Sequence, residues 1–460
     1  MLFEQYKSAE NFLESLGNMS NVNFFNGTSN PDHHFARAKH LLKLAGNPDH
    51  GLKIIHVAGT SGKGSTANYI YNILQRAGFK VGGHFSPFVS VATEKIQING
   101  QFISAREFID LVEEIKPIIQ KCHDTFDPPP HRFGEASTPS YFECCILMAL
   151  LYFKKNKCDY VVLEVGLGGR FDATNAVEKT LVSVITSIGF DHMHILGNTL
   201  PEIAFEKAGI IRHGGLVVSG VDEPEAQKVI RDICKEKKAK LFRIEKDVAD
   251  AKHTNTITAA TVCHLLGIPQ TAIEAGLTNA KPLPARFEIL QKHPLVVMDG
   301  AHNPDKLNYL ANLMYARSGK GKGQGAKGKN KNKKQNEKNK IHLICALTDH
   351  KNIHDCYKKI ARLADFVYAT RPLNAFRKFA NPTDLAREIR KIKRVPTQTF
   401  LDPNAALDAA LKRAKPDDVI LITGSFFLCS DLRKRWISEE AQLTQRTSFP
   451  KASRDKSNNV

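Results

Sequence analysis

No apolar run in this chain can cross a bilayer. The longest clean one, Cys144 to Phe153, stops at ten residues, where a spanning helix takes about twenty. There is no CxxC pair either. The nine cysteines are an odd count, and Cys144 and Cys145 are adjacent, so on a helix they point apart. That argues against a zinc site or a disulfide framework and for buried thiols in a reducing cytosol. The opening residues, MLFEQYKSAENFLESL, lack the basic-then-apolar order of a secretion signal and read as an amphipathic helix. These omissions lead us to expect a cytoplasmic protein that contacts no membrane. A dinucleotide fingerprint is also missing. Gly166-Leu167-Gly168-Gly169 begins like GxGxxG, but Phe171 stands where the last glycine belongs, which disfavours a dinucleotide oxidoreductase.

What is present describes a globular protein. The chain has 460 residues, 42% hydrophobic and 24% charged, long for one core and comfortable for two domains. Its net charge of +18 is uneven. Residues 318–340 carry nine Lys and one Glu, eight of those charges, with almost nothing apolar. Such a segment cannot offset the entropy of ordering, so we expect a disordered surface insertion. Nucleic-acid binding is a rival reading, but no aromatics are interleaved for stacking. The remaining +10 suits anionic ligands such as ATP or polycarboxylates.

The densest signal is IIHVAGTSGKGST, Ile54 to Thr66. An apolar strand leads into Gly59, Thr60, Ser61, Gly62, Lys63, Gly64, Ser65 and Thr66, and a helical pattern follows as far as Gly78. Strand, glycine loop with lysine, helix is the order of a phosphate cradle. Backbone N–H groups can crowd round an anion only where side chains do not block them. The helix start adds partial positive charge, and Lys63 adds a whole one. The match to GxxxxGK[ST] is loose. Val57 replaces the first glycine, and the hydroxyls of Ser65 and Thr66 come late.

Strands alternate with helices along both halves, which predicts parallel, doubly wound α/β sheets with ligands at the carboxyl ends of the strands. Glu164, His192 and Asp299 fall at such ends. Lys281-Pro282-Leu283-Pro284 reads as a stiff linker between domains at 1–280 and 285–440, with a basic flexible tail at 441–460. Spacing alone leaves Glu164 open between a magnesium ligand and a turn cap. His192 reads as a structural histidine and Lys207 as a solvated charge.

HVAGTSGKGST resembles the HVAGTNGKGS loop of folylpolyglutamate synthases, in the Mur ligase superfamily, with Ser61 replacing Asn. Further matches come in family order between residues 40 and 430. VLEVGLGGRFDATN at 162–175 departs from the second signature only at Phe171. Ser86-Pro87 and Glu94 to Gly100 resemble the folate-side loop, with Thr93 and Lys95 replacing Asn and Arg. Phe190-Asp191-His192, Glu206 to Ile210, Ala285 to Glu288, Asp299 to Pro304, Ala346 to Lys351 and Thr423-Gly424-Ser425 complete the series.

The resemblance implies an N-terminal P-loop-type ATPase domain and a smaller Rossmann-like C-terminal one. It implies an ATP-dependent ligase that phosphorylates a carboxylate and lets the amine of L-glutamate attack the acyl phosphate. Gly59 to Thr66 would cradle the ATP phosphates, with Arg286 and Asp299 reaching the nucleotide. Ser65, Ser86, Glu164 and His192 would hold one or two Mg2+ ions, with a monovalent cation such as K+ as a further cofactor. Lys207 would carry a carbamate. Thr138, Pro139, Phe142, Glu143 and Asp172 would line the pterin side, and His302 and Ser425 would place the glutamate. Lys63, Lys207, His192 and Glu164 would be the catalytic set. The expected partners are small molecules only: a folate or dihydropteroate, L-glutamate and ATP, on a monomer. Dihydrofolate synthase, alone or combined, stays open because its chemistry is the same. A cell-wall Mur ligase would carry a nucleotide-sugar domain ahead of the phosphate loop, for which the residues before Ile54 are too few.

Overall fold

The protein is described by a computed structural model over residues 2–25, 31–126, 137–245, 251–317, 339–373 and 378–444. Residues 127–136, nearly all of the Lys-rich stretch and the tail from 445 lie outside these residues.

The described chain divides into two compact α/β units. One holds the residues up to Lys281 and those from Glu440 onward; the other holds Pro282–Glu439. The first contains eight strands: β1 (Ile54–Ala58), β2 (Val81–His84), β3 (Ile96–Ile98), β4 (Gln101–Phe102), β5 (Tyr160–Glu164), β6 (Val182–Ile185), β7 (Leu216–Ser219) and β8 (Lys240–Arg243). Their order is β4-β3-β2-β5-β1-β6-β7-β8. β1, β2 and β5 are buried along their whole length, as strands covered on both faces must be.

The sheet departs from the expected all-parallel form at one edge. β3 runs antiparallel to both β2 and β4. Asn99 and Gly100 both have positive φ, 47° and 77°, the signature of a two-residue hairpin turn. Such a turn can join only antiparallel neighbours. β3 begins at Ile96, because Ala92–Lys95 is a short 3-10 turn.

The second unit contains β9 (Glu288–Lys292), β10 (Leu295–Asp299), β11 (Ile341–Cys345), β12 (Phe366–Ala369), β13 (Thr397–Thr399) and β14 (Val419–Thr423), in the order β13-β12-β11-β14-β10-β9. All pairs are parallel except β9–β10, whose link is too short for a crossover. The tail expected from 441 begins instead with a helix, Glu439–Thr444. Leu443 of that helix packs on the first unit's core.

That core lies beneath β1, β2 and β5, where helices Ala105–Thr125 and Tyr141–Lys155 bury Phe108, Val112, Leu147 and Phe153. Both helices open with a complete capping box. In the first the box is Ser104 with Glu107. For the second helix the cap is Ser140 with Glu143, so Thr138 and Pro139 precede the helix rather than start it. Each box satisfies two orphan N–H groups at once.

Glu143 does a second job. Arg37, fully buried on helix Pro31–Leu44, donates from Nε and Nη2 to its two carboxylate oxygens, both at 3.0 Å. Removing one partner leaves a buried charge unmatched, which costs about 3–5 kcal/mol, whereas replacing both with apolar groups is far milder. Glu143→Ala should therefore unfold at much lower urea than wild type, and Arg37→Met/Glu143→Leu should recover most of the loss. Equal midpoints for the single and double variants would contradict this account.

Candidate functional site

Register brings the expected residues together. Val57 pairs with Glu164, Ala58 with Ile185 and His84 with Leu163. The loops after β1, β2, β5 and β6 therefore leave the sheet at one level, at its carboxyl edge, where the strand order switches around β1.

The loop after β1 is held by the one after β6. Thr60 N donates to Ser187 O at 2.8 Å and Ser61 N to Ser187 Oγ at 3.0 Å. The hydroxyls of Thr186 and Ser187 donate back to Ser61 O at 2.6 and 3.0 Å. Two glycines are obligatory here. Gly59 has φ 148°, and a Cβ on it would lie 2.0 Å from Thr186 Oγ1. Gly62 has φ 82°, and its Cβ would lie 2.5 Å from Asn255 Oδ1. Gly62 is also the N-cap of helix Lys63–Arg76, where no side chain accepts from the first turn. The donors of that turn have no capping side chain, and they face the anion-favouring end of the dipole. Lys63 bends back, with Nζ 3.0 Å from Gly59 O, which puts its ammonium over the loop.

Glu164 is 3% exposed at the end of β5. One carboxylate oxygen accepts from Ser86 N at 2.9 Å, so a buried carboxylate and the Ser86 hydroxyl share one corner. His192, in left-handed backbone with φ 53°, begins a short helix after β6, with Nε2 3.9 Å from Asp191 Oδ1. Among the described residues no three His, Cys, Asp or Glu cluster as a metal cage. Oxygen donors supplemented by water and phosphate suit magnesium better than such a cage. The glycine-lined cradle and the buried Glu164 thus fit a magnesium–nucleotide pair.

Lys207 is 4% exposed, the penultimate residue of helix Leu200–Ala208. The solvated lysine that spacing favours is thereby excluded. The loop after β5 docks on this helix end, with Arg170 N donating to Glu206 O at 2.8 Å. Asp172 is buried in the same loop. It accepts from Leu167 N at 2.8 Å and Thr174 N at 2.9 Å, and burial raises its pKa against those bonds. Thr174 Oγ1 also lies 2.7 Å from His56 Nε2 of β1. Burial depresses the pKa of that histidine to about 3, so it is neutral.

On the expected pterin side, the ring of Phe142 lies 5.9 Å from that of His84. Thr138 Oγ1 is 2.9 Å from His123 Nδ1, on the surface. Lys95 is buried with Nζ 4.2 Å from the centre of the Tyr141 ring, and burial lowers its pKa.

In the second unit Asp299 ends β10 and organises the backbone on either side. It accepts from Phe287 N at 2.9 Å and Ala301 N at 2.8 Å. Ala285 and Phe287 both have positive φ, 49° and 52°, a strain the surroundings must over-determine. Glu288 does so from the other end by accepting from Ala285 N at 2.9 Å while paired with Arg433. Arg286 lies over the Phe426 ring at 5.1 Å. Gly424 N donates to Ala301 O at 2.9 Å, which brings Ser425 beside His302. Ser425 caps helix Phe426–Arg433 through Phe427 N at 3.0 Å. His302 Nδ1 lies 2.8 Å from Gly300 O, its Nε2 lies 3.3 Å from Lys306 Nζ, and its carbonyl accepts from Lys351 Nζ at 2.9 Å.

Motif reading missed Thr186, Ser187, Asn255, His56, Arg37 and Lys306. The two hydroxyls directly after a buried strand were the one local signal; the others act across long sequence separations or one turn along a helix.

Burial raises the Asp299 pKa to about 6. The native state then binds more protons than the unfolded chain between about pH 4 and 6, so stability falls as pH rises through that window. Asp299→Asn should flatten this limb by roughly 2 kcal/mol, read as the difference in urea midpoints at pH 4 and pH 6.5. Parallel pH profiles for the two proteins would contradict it.

Comparison with known proteins gives consistent matches. Residues 57–278 match the family described as Mur ligase middle domain, and residues 285–426 match the Mur ligase glutamate ligase domain. A dihydrofolate synthase/folylpolyglutamate synthase of Bacillus subtilis is 32% identical over 439 residues, 87% of this chain and 94% of the relative. A crystal structure of a bifunctional folylpolyglutamate synthase/dihydrofolate synthase with Mn, AMPPNP and L-glutamate bound superposes with a TM-score of 0.70 at 30% identity. It covers 87% of this chain and 93% of that one. Escherichia coli FolC in complex with DHPP and ADP superposes at 0.68 and 28%, over 90% and 96% of the two chains.

Proposed function

The chain belongs to the Mur ligase family, in its dihydrofolate synthase/folylpolyglutamate synthase branch, and we propose that it joins L-glutamate to the γ-carboxyl of a folate as ATP becomes ADP and phosphate. The observation that carries this reading is the uncapped helix start behind Gly59 to Gly62, with Lys63 over it and Glu164 at the same sheet edge. Ligation of L-glutamate to dihydropteroate is the second reading. The double name of the Bacillus subtilis relative and the DHPP in the Escherichia coli complex favour it as an additional activity.

The chemistry follows from the groups present. The loop Gly59 to Thr66 cradles the ATP phosphates with the N–H donors of its helix start, and Lys63 exchanges the Gly59 carbonyl for phosphate oxygens. Ser65, Ser86, Glu164 and His192 hold magnesium, with K+ as a further cation in the same reading. The divalent ion, when bound, neutralises charge on the phosphate oxygens. The substrate carboxylate oxygen attacks the γ-phosphorus, the bond to the β-phosphate oxygen breaks, and ADP leaves. The glutamate amine then attacks the acyl carbon, phosphate departs, and the amine nitrogen loses a proton. Arg286 and Asp299 reach the nucleotide from residues 285–440, the glutamate-ligase domain, and His302 and Ser425 serve the amino acid. Residues 1–280 form the ATP-binding domain. Phe142 and Asp172 face the pterin with Thr138 and Pro139, while Glu143 acts through Arg37. With nine buried cysteines, we place the enzyme in the cytoplasm as a monomer.

Lys207 works as a carbamate. Burial favours the neutral amine, which adds carbon dioxide with formation of an N–C bond and loss of a proton. The product presents two oxygens that share one negative charge, the donor type magnesium takes.

ADP release measured with tetrahydrofolate and with dihydropteroate, each with and without L-glutamate, tests the reaction. Glutamate-dependent release with either acid is the expected result, and its absence with both would remove the assignment. Lys63→Ala should lower kcat at least about 100-fold with the fold intact. Lys207→Ala should be similarly impaired and partly rescued by formate or acetate. Full activity of Lys207→Ala without additive would sink the carbamate.

A further inference from the structure

Lys306 emerges from the hydrogen-bond arithmetic of His302. A neutral imidazole has one N–H and one lone pair. Nδ1 lies 2.8 Å from the carbonyl of Gly300. A carbonyl only accepts, so the proton sits on Nδ1. Nε2 is then the acceptor, and the group 3.3 Å away is the ammonium of Lys306, which only donates. Protonating Nε2 would set N–H against N–H beside a second cation. The ring is therefore neutral, with its N–H committed to Gly300 and its lone pair committed to Lys306.

An imidazole in that state has no N–H to offer an anion. An amino acid seated by this histidine brings at least one carboxylate, and that carboxylate must find its donor elsewhere. Lys306 carries three N–H donors and a full charge, and its head is steadied by His302. It sits four residues on from His302, in the first turn of helix Pro304–Arg317, whose dipole favours an anion at this end. Other charges nearby do not replace it. Lys351 donates to the His302 carbonyl, Arg286 lies over Phe426, and Asp299 is an acceptor.

We propose that Lys306 takes a carboxylate of the incoming L-glutamate, with His302 as the positioning residue that aims its ammonium. The inference rests on the ligase reading above and reassigns the direct contact within it.

The test measures KM for L-glutamate in the full-length chain carrying Lys306→Met, with Lys306→Arg as the conservative variant. Lys306→Met should raise KM for glutamate about 10- to 100-fold, the worth of one charge-assisted hydrogen bond. KM for ATP and the melting temperature should stay near wild type, and Lys306→Arg should recover part of the loss. Competition by L-glutamine separates the two carboxylates. Weakened inhibition by glutamine assigns Lys306 to the α-carboxylate, and unchanged inhibition assigns it to the side chain. An unchanged KM for glutamate in Lys306→Met overturns the inference while the ligase reading stands. If wild type itself shows no glutamate-dependent turnover, both fall. Should the methionine variant not fold, Lys306→Gln gives the same readout with a polar side chain.

Discussion

The structure turns on a close approach that no side chain could survive. The backbone of Gly59 passes so near the hydroxyl of Thr186 that a methyl group would overlap it. That contact lets the loop after β1 share hydrogen bonds with the loop after β6, which fixes the curve of the loop and hence the direction of the donors at Gly62 and beyond. The sheet register then sets the rest. Once β1 lies between β5 and β6, Glu164 and its partner Ser86 emerge at the same level as the cradle, whatever their distance along the chain.

Around this frame the molecule buries charge where a purely stabilising design would not. Glu164, Lys207, Lys95 and Asp172 all lie inside, and Asp299 holds the strained Phe287 in place with a carboxylate that burial pushes toward neutrality. Perturbed, costly groups of this kind concentrate where ligands are handled. Arg37 and Glu143 differ, since each answers the other and together they brace the start of helix Tyr141–Lys155.

Motifs that are local in sequence were legible before the structure. The phosphate loop and the alternation of strands and helices each depend on neighbours a few residues apart. Family order also singled out Glu164, Lys207 and Asp299. Side chains whose meaning comes from distant partners were not legible. Spacing made Lys207 a surface lysine because periodicity cannot see the loop that docks on its helix end. Glu143 looked like a ligand-facing carboxylate because Arg37 is more than one hundred residues away in sequence. Antiparallel pairing at one edge of each sheet was hidden by the general rule that alternation means parallel pairing, although each short link forbade a crossover.

All nine thiols are interior. In the native fold a thiol-directed reagent meets none of them, and burial pushes most of them to high pKa, further from the reactive thiolate. They are spread over both units, six before Lys281 and three after it. The chain thus carries its own chemical clock: label incorporated at each cysteine, resolved by peptide mass, records when and where each unit opens, with no probe added to the protein.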